Sequence, residues 1–173
     1  MNPITTSKDC LECKECCKFH DDEVWFAPVF TEKEIALIPE KFQKKAVFTS
    51  YRLSKNVKQI QLLPSKNAKA LFVCPYYDEQ SAKCEIYLFR PLDCKMWPVM
   101  FMRTRSNDRV HVVVVKKKHC RSVRNVSEKE RRQHDKNIMA FFSTKQMKQY
   151  LRTHQDVIWP WESGYDRIGT IAL

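Results

Sequence analysis

The sequence predicts an α+β fold, in which a small antiparallel sheet with hairpins and peripheral helices surrounds a cysteine-rich site. Three observations predict this fold. Short runs of β-branched and aromatic residues alternate with polar turns between residues 70 and 115, as the strands of hairpins do. Thr-x-x-Glu and Ser-x-x-Glu capping boxes at Thr31 and Ser127 precede apolar patterns of helical period. Four of the eight cysteines fall within residues 10–17.

The first third of the chain is predicted to combine extended segments with short helices. Residues 23–30 are apolar and β-prone, so we expect a core strand or extended segment that ends near Pro28. The capping box at Thr31 opens one short helix, and Pro39 suits the first turn of a second helix through residue 46. Residues 47–63 alternate only weakly and predict strand.

The middle of the chain carries two predicted hairpins and a helical turn. Residues 70–89 contain two strand-like runs on either side of a polar turn, with a cysteine at each side. Pro91 suits the first turn of a short helix that carries Cys94. Residues 99–104 and 110–115 predict a second hairpin, whose turn contains the residue types that tolerate positive φ.

Two helices and an aromatic tail are predicted at the C-terminal end. The capping box at Ser127 opens a helix with Ile138, Phe141 and Phe142 on its apolar face. A second helix is expected to begin after residues 143–144, and the aromatic tail that starts at residue 156 is expected to dock on the core.

Length and composition limit the classes of protein. The 173 residues predict a single domain over residues 1–173, with a cysteine-bearing core at 10–120 followed by C-terminal helices and the tail at 121–173. With Gly164 and Gly169 as its two glycines, the sequence contains no G-x-G-x-x-G and no P-loop motif for a nucleotide. No apolar run approaches the roughly 18 residues of a membrane span, and the first residues lack a signal-peptide pattern. We therefore expect a cytoplasmic protein without a membrane partner.

The cysteine spacing predicts metal binding. Cys-x2-Cys allows two thiolates to reach one ion from a single backbone turn, and the charged neighbours of residues 10–17 exclude burial as the explanation. All eight cysteines are candidate ligands of one or two metal centres: Cys10, Cys13, Cys16, Cys17, Cys74, Cys84, Cys94 and Cys120. In a reducing compartment, metal binding is a more common role for such cysteines than disulfide formation.

The spacing leaves zinc and iron–sulfur open. A zinc ribbon would have two Cys-x2-Cys pairs, and the second block of cysteines has none. Three cysteines at i, i+3 and i+6, with a remote Cys74-Pro75, resemble ferredoxin-type ligation, which favours a 4Fe-4S cluster over zinc. Cys16 and Cys17 are adjacent, so their side chains are expected to point to different partners.

Two further residues have more than one interpretation. His20 lies three residues after Cys17 and is either an additional nitrogen ligand or a surface histidine beside two aspartates. Cys120 lies among lysines, a histidine and an arginine, and these cations would favour its thiolate as a nucleophile or as a ligand.

The cysteine pattern resembles the CxxCxxCC cysteine-cluster family, the YkgJ-type zinc- or iron-chelating proteins. The resemblance covers residues 10–98: Cys10-x2-Cys13-x2-Cys16-Cys17, Cys74-Pro75 and Cys84-x-Ile86-Tyr87-x2-Arg90-Pro91-x2-Cys94-x3-Pro98. It implies metal chelation by these cysteines and leaves reaction and substrate open. A related branch is similar to flagellin lysine N-methylases, which implies a metal-dependent protein-modifying enzyme as an alternative.

Other features of the sequence suggest neighbours of the metal and further partners. Tyr87 and Arg90 are candidates for the shell around the ligands, since an arginine offsets thiolate charge; Arg90 could equally cap a carbonyl near the turn. The net charge is +11, and the basic stretch at residues 116–136 is the basis of a nucleic-acid-binding alternative, or of an acidic protein partner. The same charge also serves plain solubility.

Overall fold

Short antiparallel strands alternate with short helices along the chain, so the α+β prediction is confirmed. The computed structural model describes residues 17–51, 54–69, 71–106, 108–115, 127–161 and 163–173. The chain forms two compact units, one within Cys10–Lys95 and the other within Met96–Leu173. The following paragraphs describe each unit separately.

Two three-stranded sheets and one hairpin form the β-structure described in the Cys10–Lys95 unit. The sheets have the strand orders β1-β6-β5 and β2-β4-β3, and β7 pairs with β8. All of these pairs are antiparallel. The strands are β1 (Lys18–His20), β2 (Val29–Thr31), β3 (Phe48–Tyr51), β4 (Ser54–Ile60), β5 (Leu63–Pro64), β6 (Leu71–Val73), β7 (Tyr77–Asp78) and β8 (Lys83–Cys84).

Three short α-helices accompany these strands. They are α1 (Glu32–Ala36), α2 (Glu40–Gln43) and α3 (Leu92–Met96). The predicted capping box begins α1: the Thr31 hydroxyl accepts a hydrogen bond from the Glu34 amide, and the Glu34 carboxylate accepts one from the Thr31 amide. The helix predicted after Pro39 forms but ends at Gln43, earlier than residue 46.

The prediction of an extended segment over residues 23–30 was wrong over its first half and in its end near Pro28. Asp21–Phe26 is a 3₁₀-helix, and only Val29–Thr31 is extended. Three acidic residues occupy the first turn of the 3₁₀-helix, where carboxylates favour a helical N-terminus. The Trp25 indole donates a hydrogen bond to the Asp22 carbonyl at 2.9 Å, which closes the turn. These local interactions outweigh the β-propensity of the apolar side chains.

A continuous apolar core fills the Cys10–Lys95 unit. Phe30, Ile38, Ile60, Tyr76 and Ile86 are each at most 2% exposed and belong to the same cluster of buried side chains. The side chains of the cluster come from β2, α1 and its C-terminal end, β4 and the segment around β7 and β8. The cysteine-bearing segments therefore pack on one common core.

The Met96–Leu173 unit is built on a four-stranded sheet of order β11-β9-β10-β12. Its strands are β9 (Val99–Arg103), β10 (Arg109–Val115), β11 (Ile158–Trp159) and β12 (Tyr165–Ala172). The β9–β10 hairpin forms as predicted. The tail docks through β11, which pairs with β9 in parallel. The last strand, β12, pairs with β10 along its length and was not predicted.

Two helices, α4 (Glu128–Phe142) and α5 (Lys145–Thr153), complete this unit as predicted. The Ser127 and Thr144 hydroxyls cap their N-termini. Phe142 packs edge-on against Phe101, with ring centroids 4.8 Å apart. Gly169 on β12 allows close packing of α4, because a Cβ there would meet the Met139 sulfur at 2.3 Å. Among the described residues, no helix has both the length and the apolar character needed to cross a membrane.

Candidate metal centre

One cavity in the Cys10–Lys95 unit brings together all four cysteines that the structure describes. Its volume is about 50 Å³. The four cysteines are thiols, and Cys74 is the most buried of them. The other lining residues are apolar or aromatic except for one arginine: Pro28, Phe30, Tyr76, Tyr77, Ala82, Ile86, Tyr87, Arg90 and Pro91.

Strand pairing brings Cys17 next to Cys74. The first pair of the β1–β6 ladder joins Lys18 to Val73, so the two cysteines follow at the end of this ladder. The Cys74 amide donates a hydrogen bond to the Cys17 carbonyl at 3.1 Å. The last cysteine of the Cys-x2-Cys-x2-Cys-Cys motif is thereby held beside a cysteine that lies 57 residues later in the sequence.

A turn and a hairpin position Cys84. The Tyr77 amide donates to the Cys74 carbonyl at 2.8 Å, so the chain turns directly after Cys74. In the hairpin that follows, Tyr77 pairs with Cys84. The Glu85 amide donates to the Tyr76 carbonyl at 2.8 Å and extends the pairing beyond the cysteine.

Cys94 lies on the short helix α3, whose N-terminus is held by a residue from α1. The Glu34 carboxylate accepts a hydrogen bond from the Leu92 amide at 2.7 Å, while its second oxygen closes the capping box with Thr31. The Lys95 amide donates to the Pro91 carbonyl at 3.0 Å, which forms the predicted first turn. Glu34 thus connects the start of α1 to the start of the helix that carries a cavity cysteine.

A second carboxylate, that of Asp93, anchors α3 to the neighbouring strand. One of its oxygens accepts a hydrogen bond from the Val29 amide at 3.2 Å. Burial raises the pKa of Asp93 to about 6; the amide of Val29 opposes this shift, and the nearby Glu34 carboxylate adds to it. Glu34 and Asp93 therefore form a pair of acidic anchors behind Cys94.

Arg90 and Tyr87, which were predicted to surround the metal ligands, both line the cavity. The Arg90 guanidinium stacks over the Tyr87 ring at 3.7 Å from its centroid. Its Nε donates to the Tyr87 carbonyl at 3.0 Å, so the arginine also makes the carbonyl cap that was the alternative interpretation. These two contacts fix the cation in the wall of a cavity that carries four thiols.

The Tyr76 hydroxyl is a buried polar group in the same cavity wall. Tyr76 is fully buried, and its hydroxyl has no hydrogen-bond partner in the described part of the chain. Burial raises the pKa of Tyr76 to about 12, and the nearby Cys74 adds to the shift. Burying a hydroxyl without a hydrogen-bond partner costs about 1–3 kcal/mol of folding free energy. We therefore expect a group bound in the cavity to supply a partner for this atom.

The donor set of the cavity fits a thiophilic metal. Its potential ligands are all sulfur, which suits zinc, copper(I) and iron–sulfur clusters and does not suit magnesium or calcium. An anionic thiolate centre would also be matched by the Arg90 cation and would offer an acceptor to the Tyr76 hydroxyl. Within the described ranges, no three His, Cys, Asp or Glu side chains are already close enough together to hold a single ion.

The remaining predicted ligands are one exposed histidine and four cysteines that the structure does not describe. His20 is exposed on β1 and is not among the residues that line the cavity. Cys10, Cys13, Cys16 and Cys120 lie outside the described residues, as does the basic segment 116–126.

The described end of the predicted basic stretch lies on α4. Arg131 and Arg132 both pair with Glu128 at 3.2 Å, and Arg131 lies 3.8 Å from the Asp166 carboxylate. These acidic neighbours neutralise part of the positive charge on which the nucleic-acid alternative depends.

Tyr76, Glu34 and Asp93 were missed as residues of the site. Asp93 and Tyr76 lie within two residues of a cysteine, and this proximity is the signal that the sequence contains. Glu34 and Leu92 are 58 positions apart in the sequence, so no local pattern reveals their hydrogen bond. The burial of the Tyr76 hydroxyl is likewise a property of the folded chain alone.

Comparison with known proteins supports the same chemistry. Comparisons with curated proteins and with solved structures both found no match. Residues 9–137 match the model of the CxxCxxCC family, described as "Putative zinc- or iron-chelating domain". The match spans most of the chain and includes all eight cysteines. The chain therefore belongs to the CxxCxxCC family of zinc- or iron-chelating domains.

Proposed function

We propose that the protein is an iron–sulfur protein whose cluster, of the 4Fe-4S type, is held in the cavity lined by Cys17, Cys74, Cys84 and Cys94. The observation that carries the proposal is the convergence of these four thiols, from four separate segments, on one cavity. Four thiolates are the ligand set of such a cluster. When bound, the cluster would supply one-electron redox chemistry.

The grouping of the described thiols favours a cluster over a single zinc ion. Four sulfurs around one zinc stand about 3.8 Å apart, given a Zn–S distance of about 2.3 Å. The described thiols line a common cavity, yet no three potential ligands among the described residues converge on one ion. In a four-iron cluster each thiolate binds a different iron, so the thiols stand further apart.

The size of the cavity also supports a cluster. A volume of about 50 Å³ exceeds the roughly 10–15 Å³ that one water-sized body requires. The space therefore suits a group of several atoms better than one bare ion. Tyr76 and Arg90 would donate hydrogen bonds or offset negative charge at the sulfurs of such a group.

The remaining cysteines are proposed to serve a second centre or to contribute to the first. Cys10, Cys13 and Cys16 directly precede Cys17 in the sequence, so chain connectivity keeps them within reach of the cavity. Because Cys16 and Cys17 are adjacent, we assign them to different metals. Cys120 remains a candidate ligand and His20 a candidate extra ligand.

Removal of single cavity thiols tests the proposal. The apoprotein would be reconstituted without air, once with iron and sulfide and once with zinc, for the wild type and for Cys74→Ala, Cys84→Ala and Cys94→Ala. We expect each variant to lose the iron and sulfide that the cavity holds in the wild type. Cys120→Ala is the comparison variant, because the proposal does not place Cys120 among the four ligands of the cavity cluster.

The result that would overturn the proposal is equally direct. If the three cavity variants retained the wild-type content of iron and sulfide, the cavity would not be the cluster site. If the wild type incorporated zinc and no sulfide-containing cluster, the centre would be a zinc site, and the cluster would be excluded.

A further inference from the structure

The Tyr76 hydroxyl is unusual among the polar groups of this unit, because it is buried at the cavity wall without a partner in the described residues. The ring belongs to the apolar core and is fully buried. A phenylalanine would fill the same space without an unpaired polar atom. Burial of the hydroxyl therefore costs desolvation free energy that the apolar packing does not offset.

The position of Tyr76 indicates what its partner is. The side chain lines the cavity together with Cys74, Cys84 and the other two thiols. The other polar side-chain groups in the wall are the sulfurs, one cation and the Tyr77 and Tyr87 hydroxyls. Among these, anionic sulfur is the strongest acceptor for a phenol that is protonated at neutral pH. Tyr76 therefore belongs to the wall of the space in which the metal centre is proposed to bind.

Two neighbouring tyrosines show that this feature is specific. Tyr87 stacks against the Arg90 guanidinium, and Tyr77 lies in β7 with the Lys18 ammonium 5.6 Å from its ring centroid. Both line the same cavity, but neither has a buried hydroxyl without a partner.

We propose that Tyr76 is a positioning residue of the metal centre, whose hydroxyl donates a hydrogen bond to one of its sulfur atoms. This inference rests on the proposed function. A hydrogen bond to sulfur stabilises negative charge there, and the reduced state of a cluster carries one more negative charge than the oxidised state. Tyr76 therefore makes the centre easier to reduce.

The test compares Tyr76→Phe with Tyr77→Phe, the same substitution in the adjacent residue of the same cavity wall. Each protein is reconstituted without air with iron and sulfide, and its midpoint potential is measured in a redox titration. We expect Tyr76→Phe to shift the one-electron equilibrium about tenfold toward the oxidised state, which lowers the potential by about 59 mV. Tyr77→Phe should shift it much less.

A second readout separates a role at the metal from a structural role. The melting temperature is measured for each variant as apoprotein and after loading with iron and sulfide, or with zinc. Tyr76→Phe should leave the apoprotein as stable as the wild type, or more stable, and should reduce the stabilisation that loading adds. A structural role would instead lower both melting temperatures equally.

Three outcomes would overturn the inference. One is an unchanged potential and unchanged stabilisation on loading in Tyr76→Phe. Another is an equal shift in Tyr77→Phe, since the effect would then belong to the cavity in general. The third is a wild type that binds neither iron–sulfur nor zinc, which would overturn the proposed function as well. A wild type that forms the cluster with normal behaviour in Tyr76→Phe would overturn the inference alone.

Discussion

Arg90 is the only cation among the cavity-lining residues that the structure describes. Its guanidinium is fixed by the Tyr87 ring on one side and by the Tyr87 carbonyl at its edge. A fixed cation next to several thiolates offsets their mutual repulsion without taking part in coordination. These contacts support the role beside the metal ligands that the sequence predicted for Arg90.

We predict that Arg90→Gln weakens metal retention. Loss of the cation leaves the thiolate charge uncompensated, and substitutions of such supporting residues typically cost 10–100-fold in affinity. Release of metal to a competing chelator should therefore be at least about tenfold faster. Arg105→Gln is the matched control, because Arg105 lies in an exposed turn of the other unit. Equal rates of metal release from the two variants would show that Arg90 does not support the metal centre.

A pH effect is predicted at His111, away from the cysteines. The ring pairs with the Thr170 hydroxyl at 3.0 Å across the β10–β12 ladder, and burial, with a contribution from Arg167, lowers its pKa below the usual 6.5. The unfolded chain therefore binds a proton more readily than the folded chain. Stability from this group is complete above pH 6.5 and is lost as pH falls below that value.

Urea denaturation of the wild type and His111→Gln between pH 5 and 7.5 checks this prediction. The wild type should lose more stability than the variant as the pH falls through this range. Other groups that titrate in this range, including Asp93, are common to both proteins and cancel in the difference. Parallel pH profiles would contradict the prediction.

At the scale of elements, two capping boxes with the same sequence pattern differ in what they support. The Ser127–Glu130 box starts α4 and is exposed to solvent. In the Thr31–Glu34 box, the glutamate has a second task, because its other oxygen holds the first amide of α3. The position of Cys94 therefore depends on a residue 60 positions earlier in the chain.

We predict that Glu34→Ala is more damaging than Glu130→Ala. Each variant loses the glutamate's hydrogen bond in its capping box, which is worth about 1 kcal/mol. Glu34→Ala also loses the partly buried hydrogen bond from the Leu92 amide, worth about 1 kcal/mol more. The expected losses in the free energy of unfolding are about 2 and about 1 kcal/mol, measured by chemical denaturation. Metal affinity should fall in Glu34→Ala alone; an equal fall in both variants would show that α3 is not held in this way.

The elements themselves were largely predictable from local patterns. Capping boxes, proline at a first helical turn and the polar turn between 104 and 109 act within a few residues, and the helices and the hairpin they predict are present. The two failures have different causes, and hydrophobic periodicity reveals neither. The 3₁₀-helix at Asp21–Phe26 and the strand β12 depend on an acidic first turn and on a long-range partner, respectively.

At the scale of the whole molecule, the cysteines explain why the family relationship could be recognised from the sequence. Spacing predicted thiolate ligands and identified the family, because a Cys-x2-Cys motif is a local signal of metal binding. The grouping of the four described cysteines in one cavity required the fold, since they come from a strand end, a turn, a hairpin and a helix. The burial of the Tyr76 hydroxyl and the hydrogen bond from the Leu92 amide to Glu34 likewise appear only in the fold.

The most direct test of the central claim is the metal and sulfide content of protein purified without air, read together with its visible absorption spectrum. An iron–sulfur centre in the four-cysteine cavity predicts a brown protein with iron and inorganic sulfide in equal amounts and a broad thiolate-to-iron absorption that bleaches on reduction. A colourless protein that carries zinc, or one with no metal and eight titratable thiols, would contradict it.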